Sequence, residues 1–387
     1  MKIIAIEPFT LVQPPLDRSQ SRRPCYNHTA RRAFPIHKYP EFPRAIGRTP
    51  GQSFEEVWIR VTAEDGTYGL GNCRWSNLVG PLITQHFAPL LIGRDCFAIE
   101  MINDLMWRST MRFGAGGLGT VVRSALDLAL WDLKGKLLEQ PVYKLLGGPA
   151  RESIDVYCTS DDLDWSMELG FKAFKISNPV HHTEGPAGID IIEEKVAKAR
   201  ETVGPTAQLM YNPVMSFNVE YAIRVMERLR PYRLSWFEEP LMPHDIDGLA
   251  RIKAAIPTIP LATGEDHQGR HVFFEMARRH CVDIFQPDLR ICGGLTEALK
   301  IYAIGEAAGI PTIPHAGGNI PYAQHFSFAL PEATMAEYWM NSDPGVPLEK
   351  ATPYPGAAVP VNGKLVPSDA PGFGFEISPS SLAPLPN

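Results

Sequence analysis

Apolar and polar residues alternate through residues 55–71, EEVWIRVTAEDGTYGLG, on either side of Asp65-Gly66. A period of two around an Asp-Gly pair predicts an antiparallel hairpin. Upstream, MKIIAIEPF is a short apolar run that Glu7 and Pro8 stop. It reads as a first strand and is too short for a signal peptide or a membrane-spanning helix. Between Thr120 and Leu137 the period lengthens: Val121, Ala125, Leu128 and Trp131 recur at helical spacing, and the loop PVYKLLGG follows. After Ser153 the texture changes to short β-rich runs, each leading into a longer amphipathic segment: IDVYCT, KAFKIS, AQLMYN, LSWFEEP, TIPLATGE, VDIFQPD, IPTIPH and MAEYW. From the third run on, the last polar residues are Asn212, Glu238, Glu265, Asp288, His315 and Glu337, spaced 22 to 27 residues apart. That interval holds one strand, one helix and two loops, so the eight runs predict a parallel βα-barrel with its active site at the C-terminal strand ends. A doubly wound sheet is the rival, but no G-x-G-x-x-G follows a first strand and no Walker loop is present.

Composition adds mainly exclusions. With 387 residues, 44% of them hydrophobic and 21% charged, the chain is neither disordered nor fibrous and has room for two domains. Lys plus Arg number 37 against 43 acidic residues, a net charge of −6, which leaves no basic field for nucleic acid or an acidic membrane surface. Six cysteines without a C-x-x-C pair predict reduced thiols and a cytoplasmic protein. Many of the 36 prolines lie between Pro14 and Pro50 or beyond Pro344, where they predict irregular loops and a tail.

Candidate chemistry follows from position. In a barrel the polar residues that end the runs converge. Asn212, Glu238 and Glu265 on three successive strands offer oxygen ligands to a hard cation, which favours Mg²⁺ over Zn²⁺. Asp288 and His315, one strand apart, suit a carboxylate-oriented imidazole, and Lys175 is expected to face them across the mouth. Each residue also has a plain reading: a lone His after a proline caps a loop more often than it catalyses, and a lysine usually snorkels to the surface. The regular spacing favours the chemical reading for His315 and Glu238. Glu239 is expected only to pair with a neighbouring helix or lysine. His267, two residues after Glu265, is a candidate substrate contact, whereas GAGGLG at 114–119 lacks a preceding strand and reads as a lead into the helix.

The stretches ALDLALWDLKGKLLEQPVYKLLGG, GFKAFKIS, WFEEP, ATGED, DIFQPDLRICGGLTEALKI and IPH, with the tail VPVNGKLVPSDAPGFGFEI, resemble the mandelate racemase branch of the enolase superfamily. Within that branch they are similar to the L-rhamnonate dehydratase-like acid-sugar dehydratases. The resemblance spans nearly the whole chain and is carried most specifically by DIFQPDLRICGGLTE. It implies an α/β fold, a modified (β/α)8 TIM barrel of the (β/α)7β kind with an N-terminal α+β cap. The boundaries it suggests are 1–125 for the cap, 126–345 for the barrel and 346–387 for a segment packing back on the cap. It implies Mg²⁺ on Asn212, Glu238 and Glu265, a His315–Asp288 dyad, and Glu337 as the acid of the last strand. Asn212 stands where the family has an aspartate, lowering the ligand charge from −3 to −2, and Ser177 replaces the second lysine of the family's Lys-x-Lys pattern. Cap loops in such proteins close over the barrel mouth, which makes His28 and Arg48 candidate substrate contacts.

The function implied is dehydration of a sugar acid, L-rhamnonate or a related aldonate, by an oligomer of identical subunits. An epimerase, racemase or cycloisomerase begins with the same proton abstraction. Two further readings are an aldolase using Lys175 as Schiff-base nucleophile and a non-catalytic homologue impaired by Asn212.

Overall fold

The computed structural model describes residues 1–13, 18–42, 56–74, 76–114 and 116–385. Arg48 lies outside the described residues. The first run is strand β1 (Ile3–Leu11), and the Asp65-Gly66 hairpin is β2 (Glu56–Ala63) and β3 (Tyr68–Arg74). They pair antiparallel in the order β1-β2-β3. On this sheet lies the Leu118–Leu137 helix, whose approach is set by two glycines. A Cβ on Gly69 would come within 2.0 Å of the Ala129 carbonyl oxygen, and one on Gly71 within 1.9 Å of that of Ala125. The helix therefore runs unbroken across residue 125, with Ala129, Leu130 and Leu133 in the core of the antiparallel sheet and Leu128 in the barrel core.

Seven of the eight predicted runs form parallel strands: β4 (Ile154–Thr159), β5 (Ala173–Ser177), β6 (Gln208–Asn212), β7 (Trp236–Glu238), β8 (Leu261–Thr263), β9 (Ile284–Phe285) and β10 (Ala336–Trp339). They adjoin in the order β10-β4-β5-β6-β7-β8-β9. The remaining run, IPTIPH, makes only a parallel bridge from Thr312 to Phe285. Pro311 and Pro314 flank that bridge and lack the N–H groups a longer ladder needs. The result is a (β/α)7β barrel. The tail contributes β11 (Lys364–Leu365), paired to β4, and β12 (Leu382–Pro384), which adds a fourth strand to the antiparallel sheet beside β1. Among the described residues no helix is long and apolar enough to cross a membrane.

The barrel interior is layered by strand alternation. One apolar floor takes Tyr157, Ala173, Met210, Trp236, Ala262, Ile284 and Ile313, one residue from each of seven successive runs. Two residues further along these runs the side chains return to the interior. Those positions are Thr159, Lys175, Asn212, Glu238, Gly264, Gln286 and His315. Glu337, in register with Tyr157, completes a polar layer above the floor.

Asp132 joins cap, tail and helix. Its side chain is fully buried and accepts from Leu70 N of β3 at 2.8 Å, Phe373 N of the tail at 2.9 Å and Lys136 Nζ at 2.7 Å. Asp132→Asn keeps the volume but replaces one acceptor oxygen with a donor facing donors. It should lower unfolding stability by about 1–3 kcal/mol, read as an earlier urea midpoint.

Candidate active site

The centre of the polar layer is the Lys175 ammonium, 2% exposed. It is ion-paired with Glu238 and lies 2.8 Å from Glu337 Oε1, with the Tyr157 ring 5.5 Å beneath it. Burial works against its charge, but Glu238 and Glu337 hold its proton affinity well above the ordinary lysine value. Sequence reasoning expected Lys175 to face an open mouth. Instead it is enclosed between carboxylates, because an even number of residues from Ala173 turns it into the barrel axis.

Glu238 is saturated with donors. Its Oε1 takes Lys175 and Asn212 Nδ2 at 2.8 Å, while its Oε2 takes Trp236 Nε1 and Gln286 Nε2, both at 2.8 Å. The other end of the Asn212 amide accepts from Val214 N at 2.6 Å. Asn212 and Glu238 are thus brought together as hydrogen-bond partners, each occupied by the protein itself. Glu337 accepts from Thr159 Oγ1 and Lys175 on one oxygen and from Ala316 N at 2.8 Å on the other. Burial would raise its carboxyl, but Lys175 and His315 bring it down to about 2.

At the rim of this layer, His315 Nδ1 donates to Asp288 Oδ2 at 2.9 Å, which leaves Nε2 facing Glu265 Oε2 at 3.6 Å and Glu337 Oε2 at 3.9 Å. Burial tends to strip the ring of its second proton, but Glu265, Asp288 and Glu337 raise it to about 9. Asp288 is itself fixed by Arg290, whose backbone N, Nε and Nη2 reach its oxygens at 2.8, 3.2 and 3.0 Å. Burial opposes its charge, yet Arg290 and His315 hold its carboxyl well below the usual carboxylate range. Arg290 Nη1 also donates to Tyr354 Oη at 3.1 Å, and Tyr354 Oη donates to Glu56 Oε1 at 2.7 Å, linking the dyad to the tail and the first sheet.

Beyond β7 the chain bends at Glu239, whose φ is +45°. The bend is clamped on both sides, by Glu239 N donating to Ala262 O at 3.0 Å and by Met215 N donating to Glu239 O at 2.7 Å. It carries the Glu239 carboxylate toward Glu265 and Asp266, and oxygens of the three residues lie within 4.8 Å of one another. Gly264, at φ +147°, permits this approach, since a Cβ there would meet Gln286 N at 2.7 Å. Burial raises Glu265 to about 7 against the pull of His315, and burial together with Glu265 and Asp266 raises Glu239 well above the ordinary range. Glu239 has no helix or lysine partner, contrary to expectation: it is 1% exposed, and neither oxygen meets a donor among the described residues. Three convergent carboxylates with an unsatisfied buried member fit a hard divalent cation.

The two remaining candidates lie apart from this cluster. His267 Nε2 donates to Pro243 O at 3.0 Å, its ring packs edge-on against Phe273, and its Nδ1 meets no partner among the described residues; burial lowers it to about 4. His28 is exposed, with Nε2 3.0 Å from Arg18 Nη2. It belongs to a stretch that crosses the barrel mouth: Arg23 pairs with Asp162 and Asp164, Asn27 Nδ2 donates to Met340 O, and Ala33 N donates to Asn178 O at 2.8 Å, all just beyond β4, β5 and β10.

These features match known proteins along the whole chain. Residues 31–147 match the mandelate racemase/muconate lactonizing enzyme N-terminal domain, and residues 162–381 match the enolase C-terminal domain-like family. The chain belongs to the mandelate racemase/muconate lactonizing enzyme family of the enolase superfamily. An L-rhamnonate dehydratase of Saccharopolyspora erythraea is 35% identical over 356 residues, 90% of this chain and 89% of that one. The crystal structure of a Gibberella zeae rhamnonate dehydratase complexed with Mg is 33% identical, covers 99% of this chain and 96% of that chain, and superposes with a TM-score of 0.91. A 3,6-anhydro-D-galactonate cycloisomerase of Zobellia galactanivorans is 26% identical over 98% of this chain and 97% of that one, with a TM-score of 0.78.

For this family member, sequence reasoning passed over Arg290, Gln286, Asp161 and Asp266, and gave Glu239 only a pairing role. Strand parity from Ile284 would have found Gln286. Asp161 holds Ser177 N at 2.9 Å and Lys195 Nζ at 2.9 Å, and Lys195 also donates to Ser177 Oγ at 3.1 Å, so the position of the absent second lysine is filled by a local network.

Asp288 contributes stability above the unfolded carboxyl value near pH 4 that is lost as pH falls. Arg290→Gln should therefore lower stability by about 3 kcal/mol at pH 7, and the gap to wild type should narrow below pH 4 in urea titrations at both values.

Proposed function

We propose that the protein is a magnesium-dependent hydro-lyase that dehydrates a sugar acid, L-rhamnonate or a related aldonate, to a 2-keto-3-deoxy acid. One observation carries this reading: His315 Nε2 is free of Asp288 and aimed at Glu265, whose carboxylate lies with those of Glu239 and Asp266 in a cluster that fits a hard cation. The named relatives that cover nearly all of both chains support it.

Asp288 accepts the Nδ1 proton, so the nitrogen that takes up a proton is Nε2. In its neutral form His315 removes the proton at C2, and the Nε2–H so formed then protonates the departing C3 hydroxyl. One ring thus removes and returns the proton, and the enol product tautomerises to the 2-keto acid. The carboxylates around Glu265 would hold magnesium, which when bound would supply positive charge to stabilise the enediolate. Glu337, anchored by Lys175 and Ala316 N, keeps its charge below the His315 ring and favours the protonated imidazole after abstraction. Lys175 is a positioning residue here. Its doubly paired ammonium retains its proton, which opposes the Schiff-base reading, since a nucleophilic lysine must be neutral. Ser177, tied to Asp161 and Lys195, offers no second basic nitrogen of its own, which opposes a two-base racemase.

The test is incubation of the protein with Mg²⁺ and a panel of sugar acids, with 2-keto acid detected by semicarbazide. His315→Asn should lower kcat by roughly 10²–10⁴-fold without lowering the melting temperature. Exchange of the C2 hydrogen with solvent deuterium without 2-keto acid formation would identify an epimerase instead.

A further inference from the structure

We infer that Arg32 receives the end of the substrate remote from its carboxylate, so that the acid dehydrated here bears a hydroxyl at that end and not a methyl group. The inference rests on the dehydratase reading above and narrows which aldonate the site takes.

The stretch that crosses the mouth is fastened over one arc of the barrel. Tyr26 N donates to Asp162 Oδ2 at 2.5 Å beyond β4, Ala33 N donates to Asn178 O at 2.8 Å beyond β5, and Asn27 Nδ2 donates to Met340 O beyond β10. In the strand order β10-β4-β5-β6-β7-β8-β9 this arc lies across the ring from β7 and β8, which lead into Glu239, Glu265 and Asp266. A substrate whose carboxylate meets a cation on the β7–β8 side, with C2 beside His315 Nε2, therefore extends its remaining carbons toward the arc that carries Arg32.

Aromatic faces hold Arg32 there and leave donors over. Its guanidinium stands 5.7 Å from the Tyr26 ring centre and 5.9 Å from that of Trp339. Trp339 follows Glu337 by two residues on β10, so it shares that side of the strand one step nearer the mouth. Asn319 locks its backbone, accepting from Trp339 N at 2.6 Å and donating to Trp339 O at 3.0 Å. Stacking engages the face of a guanidinium and leaves the N–H donors of its edge for a ligand. Arg32 Nε is buried and meets no acceptor among the described residues, and the Tyr26 hydroxyl, in a residue 2% exposed, is likewise without a partner. Buried donors without acceptors cost free energy that an incoming oxygen relieves. L-Rhamnonate ends in a methyl group and brings no acceptor to them. L-Mannonate, the same acid with a hydroxyl on C6, does. A site built to hydrogen-bond a hydroxyl rejects the analogue that lacks it, because its own polar groups are then left unpaired.

The test compares two pairs of acids that differ only at C6, L-mannonate with L-rhamnonate and L-galactonate with L-fuconate. The readouts are kcat/KM for 2-keto acid formation with Mg²⁺ and calorimetric binding to the Mg²⁺-loaded protein. In the better pair the hydroxylated acid should be favoured at least about tenfold. Arg32→Met keeps an apolar stem against Trp339 but carries no donor, and should shrink that preference to within about threefold. Arg32→Lys, which keeps the charge but not the planar fork, should fall between the two. The inference is overturned if wild type favours the 6-deoxy acid or shows no preference, or if none of the four acids is bound. It is equally overturned if Arg32→Met weakens both members of a pair alike, the result expected of a residue that only staples the crossing stretch to the barrel. Binding that shows the C6 preference, with no 2-keto acid formed from any of these acids, would uphold the role of Arg32 while removing the dehydratase reading.

Discussion

A lysine with 2% exposure inside a barrel is the constraint around which this molecule is arranged. Desolvating an ammonium costs several kcal/mol, and only close carboxylates with their remaining lone pairs satisfied can offset it. Glu238 and Glu337 supply the charge, and Asn212, Trp236, Gln286, Thr159 and Ala316 N fill the remaining acceptor positions. Six runs of the chain, from both ends of the barrel sequence, are thereby tied to one point. Closure of the barrel and assembly of the site are the same event, since β10 and β7 must both be in place before Lys175 is paired.

The dyad depends on a second, longer chain of contacts. His315 is oriented by Asp288, Asp288 by Arg290, and Arg290 by Tyr354 and Glu56, which belong to the tail and to β2. Asp132 ties the same two regions together from the other side of the first sheet. The cap is consequently more than a cover: docking of β2 and of the tail fixes the direction in which Nε2 points. A helix that stayed with the sheet through Leu133 is consistent with this coupling, because it carries Asp127, whose oxygens accept from Asn103 Nδ2 at 2.8 Å and from Thr296 N at 2.9 Å at the start of a barrel helix.

Much of the fold was legible because alternation and spacing are local. A period of two located the hairpin and the strand interiors, and a spacing of 22 to 27 residues located the strand ends. Their position at the ends of successive runs brought Asn212, Glu238 and His315 to one end of the barrel. What the sequence hid was partnership. Whether Glu238 is free or saturated depends on Trp236 and Gln286, the second of which comes from a strand 48 residues away. Glu239 looked like an ordinary second acidic residue because its burial and its lack of donors arise only when β8 and the loop after β6 close around it. The Leu118–Leu137 helix was legible from Thr120 on, but its periodicity does not state which domain's core receives its apolar face.

The neutral residue at 212 is compatible with the charges packed beside it. The polar layer holds one ammonium against two carboxylates, close to balance when His315 carries its proton. A third carboxylate there would stand 2.8 Å from Glu238 Oε1 in the place of a donor, and repulsion between like charges at that distance outweighs a typical hydrogen bond even with considerable screening. The cluster of Glu239, Glu265 and Asp266 is acidic instead, with His315 Nε2 3.6 Å from Glu265 Oε2. Asparagine at 212 therefore avoids adding a negative charge at the depth of the barrel. Charge at that depth stabilises Lys175, whereas charge nearer the mouth acts on whatever enters beside His315.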